Sequence, residues 1–300
     1  MSIKNVVLVG AGGNLGPAIL HALLNNSSFN VTILSRQGSS STFPEGVKVV
    51  HADYDSIDSL KSALEGQDAI VSNVASHALP SQIKIIDAAI AAGVKRFIPS
   101  EFGSNTSDPR SVKAVPFFQG KVDIQDYLKS KADQISYTTI VTGPFFDWGL
   151  KVGFVGLDFT TKTAKIFDGG NAIFSATNLR QIGLTVVKVL EHAEETKNQQ
   201  VVVSSFETSQ NVLLEKAEKI TGDKWKVNNV SSKEWQAAGY KKLEANDHSG
   251  IYNLIQAVVL GEGDLADHRP FGLWNDKLGL EKEDFDESVK AGFSGKLYGL

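Results

Sequence analysis

The chain has 300 residues, of which 42% are hydrophobic and 21% charged, and its formal net charge is −4. That is the balance of a soluble globular protein with room for one large domain or two modest ones. Lysine and arginine are spread along it, which excludes a basic stripe for nucleic acid and a cationic block for a membrane surface. Cysteine is absent, so disulfides, thiol nucleophiles and cysteine-ligated metal clusters are excluded, and the six histidines show no paired ligand spacing, so no metal is expected.

The apolar run Val6-Val7-Leu8-Val9 is far too short for a signal-peptide core or a membrane span and has the length of a buried strand. The expectation is a cytoplasmic protein that takes a small-molecule substrate, as a monomer or homodimer, with no membrane or nucleic-acid partner. Further strands are predicted at 31–35, 47–51, 69–73, 96–99 and 137–142, mostly β-branched and apolar as strands buried on both faces are. Helical stretches separate them at 15–24, 56–64, 79–92 and 121–131. Asp55 or Ser56 caps the second of these, and Ile83, Ile86, Ala89 and Ile90 form an apolar stripe on the third. This alternation predicts an α/β fold, a Rossmann-type doubly wound parallel sheet over residues 1–150.

After residue 150 the rhythm changes. Short strands at 165–167, 201–203 and 225–228 mix with helices at 178–193, 211–221, 233–242 and 253–260. Residues 151–300 read as a smaller substrate-binding part, interleaved with segments that return to the main sheet.

Residues 10–16 read Gly-Ala-Gly-Gly-Asn-Leu-Gly, directly after the first strand and opening the first helix. Gly10, Gly12, Gly13 and Gly16 leave the backbone bare, so that it turns tightly and approaches a pyrophosphate. The amides of Asn14, Leu15 and Gly16 then stand at the positive end of the helix. About 20 residues on, where an acidic residue would select NAD, the sequence is Ser35-Arg36. A guanidinium there suits the 2′-phosphate of NADP(H), with Gln37 and Ser39 as further donors. Asn73 and Ala75 follow the fourth strand, on the adenine and ribose side. Ser100 ends the fifth strand and is a candidate for ribose or nicotinamide. Asp53 is read as lying near the adenine, Asp55 as a helix cap, and His77 as a loop residue near the pocket.

The pair Tyr127 and Lys131 is a literal Tyr-x-x-x-Lys match. Tyr127 shares an apolar helix face with Ile124 and Leu128, which points it into the core instead of the site. Lys121 is the better candidate, with Phe117 where the tyrosine would stand. The two motifs lie about 9 Å apart along a helix, too far to serve one nicotinamide alike.

Four segments carry a family resemblance: the glycine turn with Arg36; residues 82–103, ending Pro99-Ser100-Glu101-Phe102-Gly103; Phe118-x-x-Lys121-x-x-Ile124; and Tyr137-Thr138 through Gly143-Pro144-Phe145-Phe146. Together they resemble the isoflavone reductase and phenylcoumaran benzylic ether reductase group of the NmrA-like, atypical short-chain reductases. The resemblance implies an NADPH-dependent reductase of a small aromatic or phenolic metabolite, with Lys121 as general acid or base. It further implies Pro144 and Phe145 beside the cofactor, with Phe102, Phe146 and Trp148 toward the substrate. Phe154, Phe159, Trp235 and Trp274 are further candidates for an aromatic wall. The chain departs from the family pattern at Gln125 and Asp126, where an arginine is usual, and has no lysine between Ser39 and Glu45. Two rival readings remain: a non-catalytic NADP(H) sensor, and a carbonyl enzyme using Tyr127 and Lys131.

Overall fold

The computed structural model describes residues 2–75 and 78–300; His77 lies outside the described residues. The first half builds strands β1 (Asn5–Val9), β2 (Asn30–Arg36), β3 (Lys48–Ala52), β4 (Ala69–Ser72), β5 (Arg96–Ile98) and β6 (Ser136–Val141). Its helices are α1 (Gly16–Leu24), α2 (Ile57–Leu64), α3 (Ser81–Ala91), α4 (Pro109–Ala114) and α5 (Gln119–Ser130). There follow α6 (Phe146–Lys151), β7 (Leu157–Asp158), β8 (Thr163–Phe167), β9 (Phe174–Ala176), α7 (Leu179–Glu191) and β10 (Gln199–Val202). The chain continues through β11 (Phe206–Thr208), α8 (Gln210–Thr221), β12 (Lys226–Val230), α9 (Ser232–Glu244), α10 (Gly250–Leu260) and α11 (Phe285–Phe293).

The central sheet runs β3-β2-β1-β4-β5-β6-β10, all parallel. Successive side chains of a strand point to opposite faces. On β1, Val6 and Leu8 enter one core with α1 and α7, while Val7 and Val9 enter another with α2, α3 and α5. Both faces of the sheet are therefore covered, which is why its strands read as unbroken apolar runs. The last strand, β10, comes from beyond residue 150 and pairs with β6, and α7 packs on α1 closely enough that a Cβ on Gly183 would stand 2.5 Å from the Ala18 carbonyl oxygen. A three-stranded sheet (β12-β8-β7) and the pair β11-β9 form the rest, around a core that includes Phe146, Phe167, Phe174, Phe206 and Trp225.

Two expectations need correction. On α3 the buried face is Gln82, Ile85, Ile86 and Ala89, whereas Ile83 is exposed. Gln82 is buried because its Oε1 accepts the Ser100 amide at 2.9 Å, so a polar residue sits on the inward face and shifts the apparent stripe. Of the two cap candidates for α2 the structure uses Ser56, and it is Asp55, not Asp53, that lines a cavity, described below. Asp53 Oδ1 accepts the Asp55 amide at 2.9 Å.

Arg96 is fully buried in β5. It donates to Ser136 Oγ (2.9 Å), to Thr138 Oγ1 (2.7 Å), to Thr196 Oγ1 (3.1 Å) and to the Ala193 carbonyl. One guanidinium thus ties β5 and β6 to the connection between α7 and β10. Desolvation lowers its pKa to about 10, against the nearby charge of Glu194, and it stays a cation at neutral pH.

His268 is also buried, and its Nδ1 has no hydrogen-bond partner among the described residues. Burial drives its pKa down to about 4 from 6.5, with Asp267 opposing. The imidazole is neutral in the fold, so below pH 6.5 the unfolded chain binds the proton first and stability is lost as pH falls toward 4. We predict that His268 accounts for about 2 kcal/mol of the stability lost between pH 7 and pH 5. Urea titrations at the two pH values check this: His268→Gln should lose that much less than the parent.

Candidate active site

Two cavities open on the carboxyl rim of the main sheet, where doubly wound folds bind ligands. The larger, about 630 Å³, lies beyond β1, β2 and β4. Its floor is the turn after β1, and its far wall is Ser35, Arg36 and Ser39. Asn73 and Ala75 close one side, Asp55 and Lys84 another. Lys84 reaches over from α3 to pair with Asp55 at 2.6 Å.

The glycines of the turn do different work. Gly10 has φ +79°, and a Cβ there would stand 2.1 Å from the Asn73 carbonyl oxygen. At Gly16 a Cβ would meet the Ala11 carbonyl oxygen at 2.3 Å. Both positions require glycine for the fold itself. Gly13 is different: its nearest neighbours would be 3.6 and 3.8 Å from a Cβ, ordinary contact distances. The side chain missing at Gly13 leaves space on the floor of the cleft, which suits close approach of a pyrophosphate to bare backbone. The residues present fit a dinucleotide: a bare turn, the amide end of α1 and, across the cleft, a guanidinium.

The second cavity, about 210 Å³, lies beyond β5 and β6. Phe102, Phe118, Phe145, Trp148, Phe154 and Ile255 supply an apolar wall, with Pro144 beside them. Among the described residues that line it, Lys121 alone is titratable. Its amine donates to the Glu101 carbonyl and lies 5.8 Å from the centre of the Phe118 ring. Desolvation pulls its pKa below 10.5, while the charge of Glu101 pulls the other way. A partly desolvated amine in an apolar pocket gives up its proton more readily than a solvated one.

Of the site residues expected from sequence, Gly10, Gly12, Gly13, Ser35, Arg36, Asn73 and Ala75 line the first cavity. Phe102, Lys121, Pro144, Phe145 and Trp148 line the second. Asn14, Leu15 and Gly16 line neither. Leu15 is a core side chain, so it can offer a ligand only its backbone, whereas Asn14 is exposed. Ser100 lines neither cavity: its hydroxyl donates to the Val74 carbonyl at 2.9 Å, tying the end of β5 to the turn after β4. Phe146 is a correction. It is fully buried against Phe206 and Phe285, because the first turn of α6 sends Phe146 inward and Trp148 toward the pocket. Phe159, Trp235 and Trp274 belong to packing, and only Phe154 of that group reaches the site. Tyr127 donates its hydroxyl to Asp87 on α3, away from Lys121, and that bond drives its pKa up to about 12.

Sequence reading missed Ile255 and Val259, which α10 brings to the pocket from the second lobe, and Tyr54, Asp55 and Lys84 in the cleft. No motif marks them. For the turn, we predict that Gly10→Ala costs about 2 kcal/mol or more, because strained φ adds to a backbone clash. Gly13→Ala should stay within about 0.5 kcal/mol of the parent in the ligand-free protein. Urea denaturation of the two variants separates a fold glycine from a ligand glycine.

The chain matches the model of the NmrA-like family over residues 2–240. It is 35% identical to an oxidoreductase of Aspergillus flavus, aprR, over 98% of this chain and all of that one. Its fold superposes on the crystal structure of isoflavone reductase with a TM-score of 0.75 at 20% identity, covering 96% of this chain and 99% of that one. It also superposes on AtPrR2 with NADP+ and (+)pinoresinol, with a TM-score of 0.74 at 23% identity, covering 97% and 98%. A match over most of the chain, on a sheet whose carboxyl rim carries the glycine turn and the buried lysine, places this protein in the NmrA-like family.

Proposed function

We propose that the protein is an NADPH-dependent reductase of a small aromatic or phenolic metabolite. The observation that carries the reading is the single amine of Lys121 in an aromatic pocket, on the same sheet rim as a cleft built for a dinucleotide. Support comes from the relative named an oxidoreductase and from the fold shared with a protein solved with NADP+ and pinoresinol.

The roles follow from the geometry. Arg36 pairs with the 2′-phosphate, which confers preference for NADP(H) over NAD(H). The bare turn and the amide end of α1 hold the pyrophosphate. When bound, the cofactor would supply the hydride for the substrate carbon. Lys121 gives a proton to the oxygen or carbon that gains electron density, which balances the reduction. The aromatic walls admit a flat apolar ring and exclude water, and the pocket volume of about 210 Å³ suits a compact substrate. Because the proton donor is an amine with a lowered pKa, activity should fall as pH rises through that pKa, below the ordinary 10.5 of lysine.

A panel of phenolic, quinonoid and carbonyl acceptors tests this by NADPH absorbance. Lys121→Met should lower kcat by roughly 10²–10⁴-fold with NADPH affinity kept, the range for loss of a general acid. Arg36→Ala should weaken NADPH binding by roughly 10–100-fold and leave NADH binding unchanged, as loss of a charge-assisted phosphate contact does. Binding of NADPH with no turnover on any acceptor would overturn the enzyme reading in favour of a sensor.

A further inference from the structure

We propose that Glu101, Thr106 and Gln125 form a positioning network for Lys121, one that fixes its amine and sets Glu101 as the acidic group acting on it. The proposal rests on the reading of Lys121 as the proton-handling residue and names the groups that govern it.

The network is a closed ring. Lys121 donates to the main-chain carbonyl of Glu101. The Glu101 carboxylate accepts from Thr106 Oγ1 at 2.9 Å, and Thr106 Oγ1 accepts from Gln125 Nε2 at 2.7 Å. Gln125 stands four residues after Lys121 on α5, so one helical turn closes the circuit. Glu101, Thr106 and Gln125 are each no more than 5% exposed. The ring is anchored further out: Ser107 Oγ donates to Gln200 Oε1 on β10 at 2.7 Å, and Gln200 Nε2 donates to Asn105 Oδ1 at 2.9 Å. The segment 101–106 is thereby held on one side by α5 and on the other by the edge strand of the main sheet.

The arrangement has an electrical consequence. A buried carboxylate normally has a cation bonded to it. The Glu101 carboxylate accepts from a neutral hydroxyl, which in turn accepts from a neutral amide. Among the described residues, the other elements lining the pocket contribute uncharged side chains: α10 contributes Ile255 and Val259, α6 contributes Trp148, and the turn after β6 contributes Pro144 and Phe145. Glu101 is the charge that acts on the lysine, and it opposes the desolvation that would strip the proton away. A network of neutral donors keeps that field intact, whereas an arginine at Gln125 would cancel it. The network thus opposes part of the desolvation at the Lys121 amine.

The test reads Lys121 directly. The full chain is produced with 13Cε-lysine, and the Lys121 resonance is identified by its loss in Lys121→Arg. Its titration is then followed in the parent, in Glu101→Gln and in Gln125→Arg. Both variants should move the Lys121 midpoint down by about one pH unit or more, the size of shift that an opposite charge at close range produces. Gln125→Arg keeps a donor to Thr106 and so keeps the ring, which covers the case of Glu101→Gln failing to fold. Where turnover is measurable, Gln125→Leu should lower kcat with the NADPH KM unchanged, and Gln125→Arg should restore kcat at low pH while moving the alkaline limb of the profile down. Midpoints unchanged in both charge variants would overturn the proposal. If the parent oxidises no NADPH, the enzyme reading fails by itself, and the titration still decides the network.

Discussion

The turn leaving β1 and the turn leaving β4 approach so closely that no side chain fits between them at Gly10. Much of the ligand-binding rim follows from that contact. It forces the chain to reverse with φ +79°, it aims α1 with its amide end at the cleft, and it brings Asn73 to donate back to the Gly10 carbonyl at 3.3 Å. A parallel sheet aligns all its strand ends on one rim, so the same edge that holds a phosphate cleft at β1 and β2 holds the lysine pocket at β5 and β6. Relatives on this scaffold can change substrate by changing the aromatic wall while leaving that contact alone.

Polar groups in the interior divide into two kinds. Arg96 and Gln82 are structural: each satisfies acceptors or donors from neighbouring strand ends and holds the rim in shape. Glu101 is held by neutral partners close to the pocket amine, so its charge is left to act on Lys121. Hydrogen bonding alone does not distinguish the two kinds. What distinguishes them is which group lies next to them: strand ends for Arg96 and Gln82, and the pocket lysine for Glu101.

The sheet and the cleft were legible in the sequence because their signals are local. A strand buried on both faces shows as a short apolar run, and a phosphate turn shows as glycines at fixed places between a strand and a helix. Arg36 and Lys121 were legible for the same reason, each sitting at a set distance from a recognisable landmark. The wall from α10 was not legible, since Ile255 and Val259 look like any helix core and reach the pocket only through the packing of the second lobe. Phe146 and Trp148 show the same limit at closer range: two aromatic residues in one turn of helix face opposite ways, and no periodicity tells which one meets the ligand. What Ser100 and Asp53 bind within the fold was not legible either, since their partners are backbone groups that no motif marks.

The edge position of β10 has a bearing on how the molecule is made. Until residues 199–202 have left the ribosome, β6 offers an unpaired edge, and the whole segment from 142 to 198 must emerge in between. A growing chain therefore carries an open strand through much of its synthesis, a known invitation to pairing with the wrong neighbour. A copy of the gene cut near residue 150 would leave that edge bare permanently and would leave α1 without α7 to cover it.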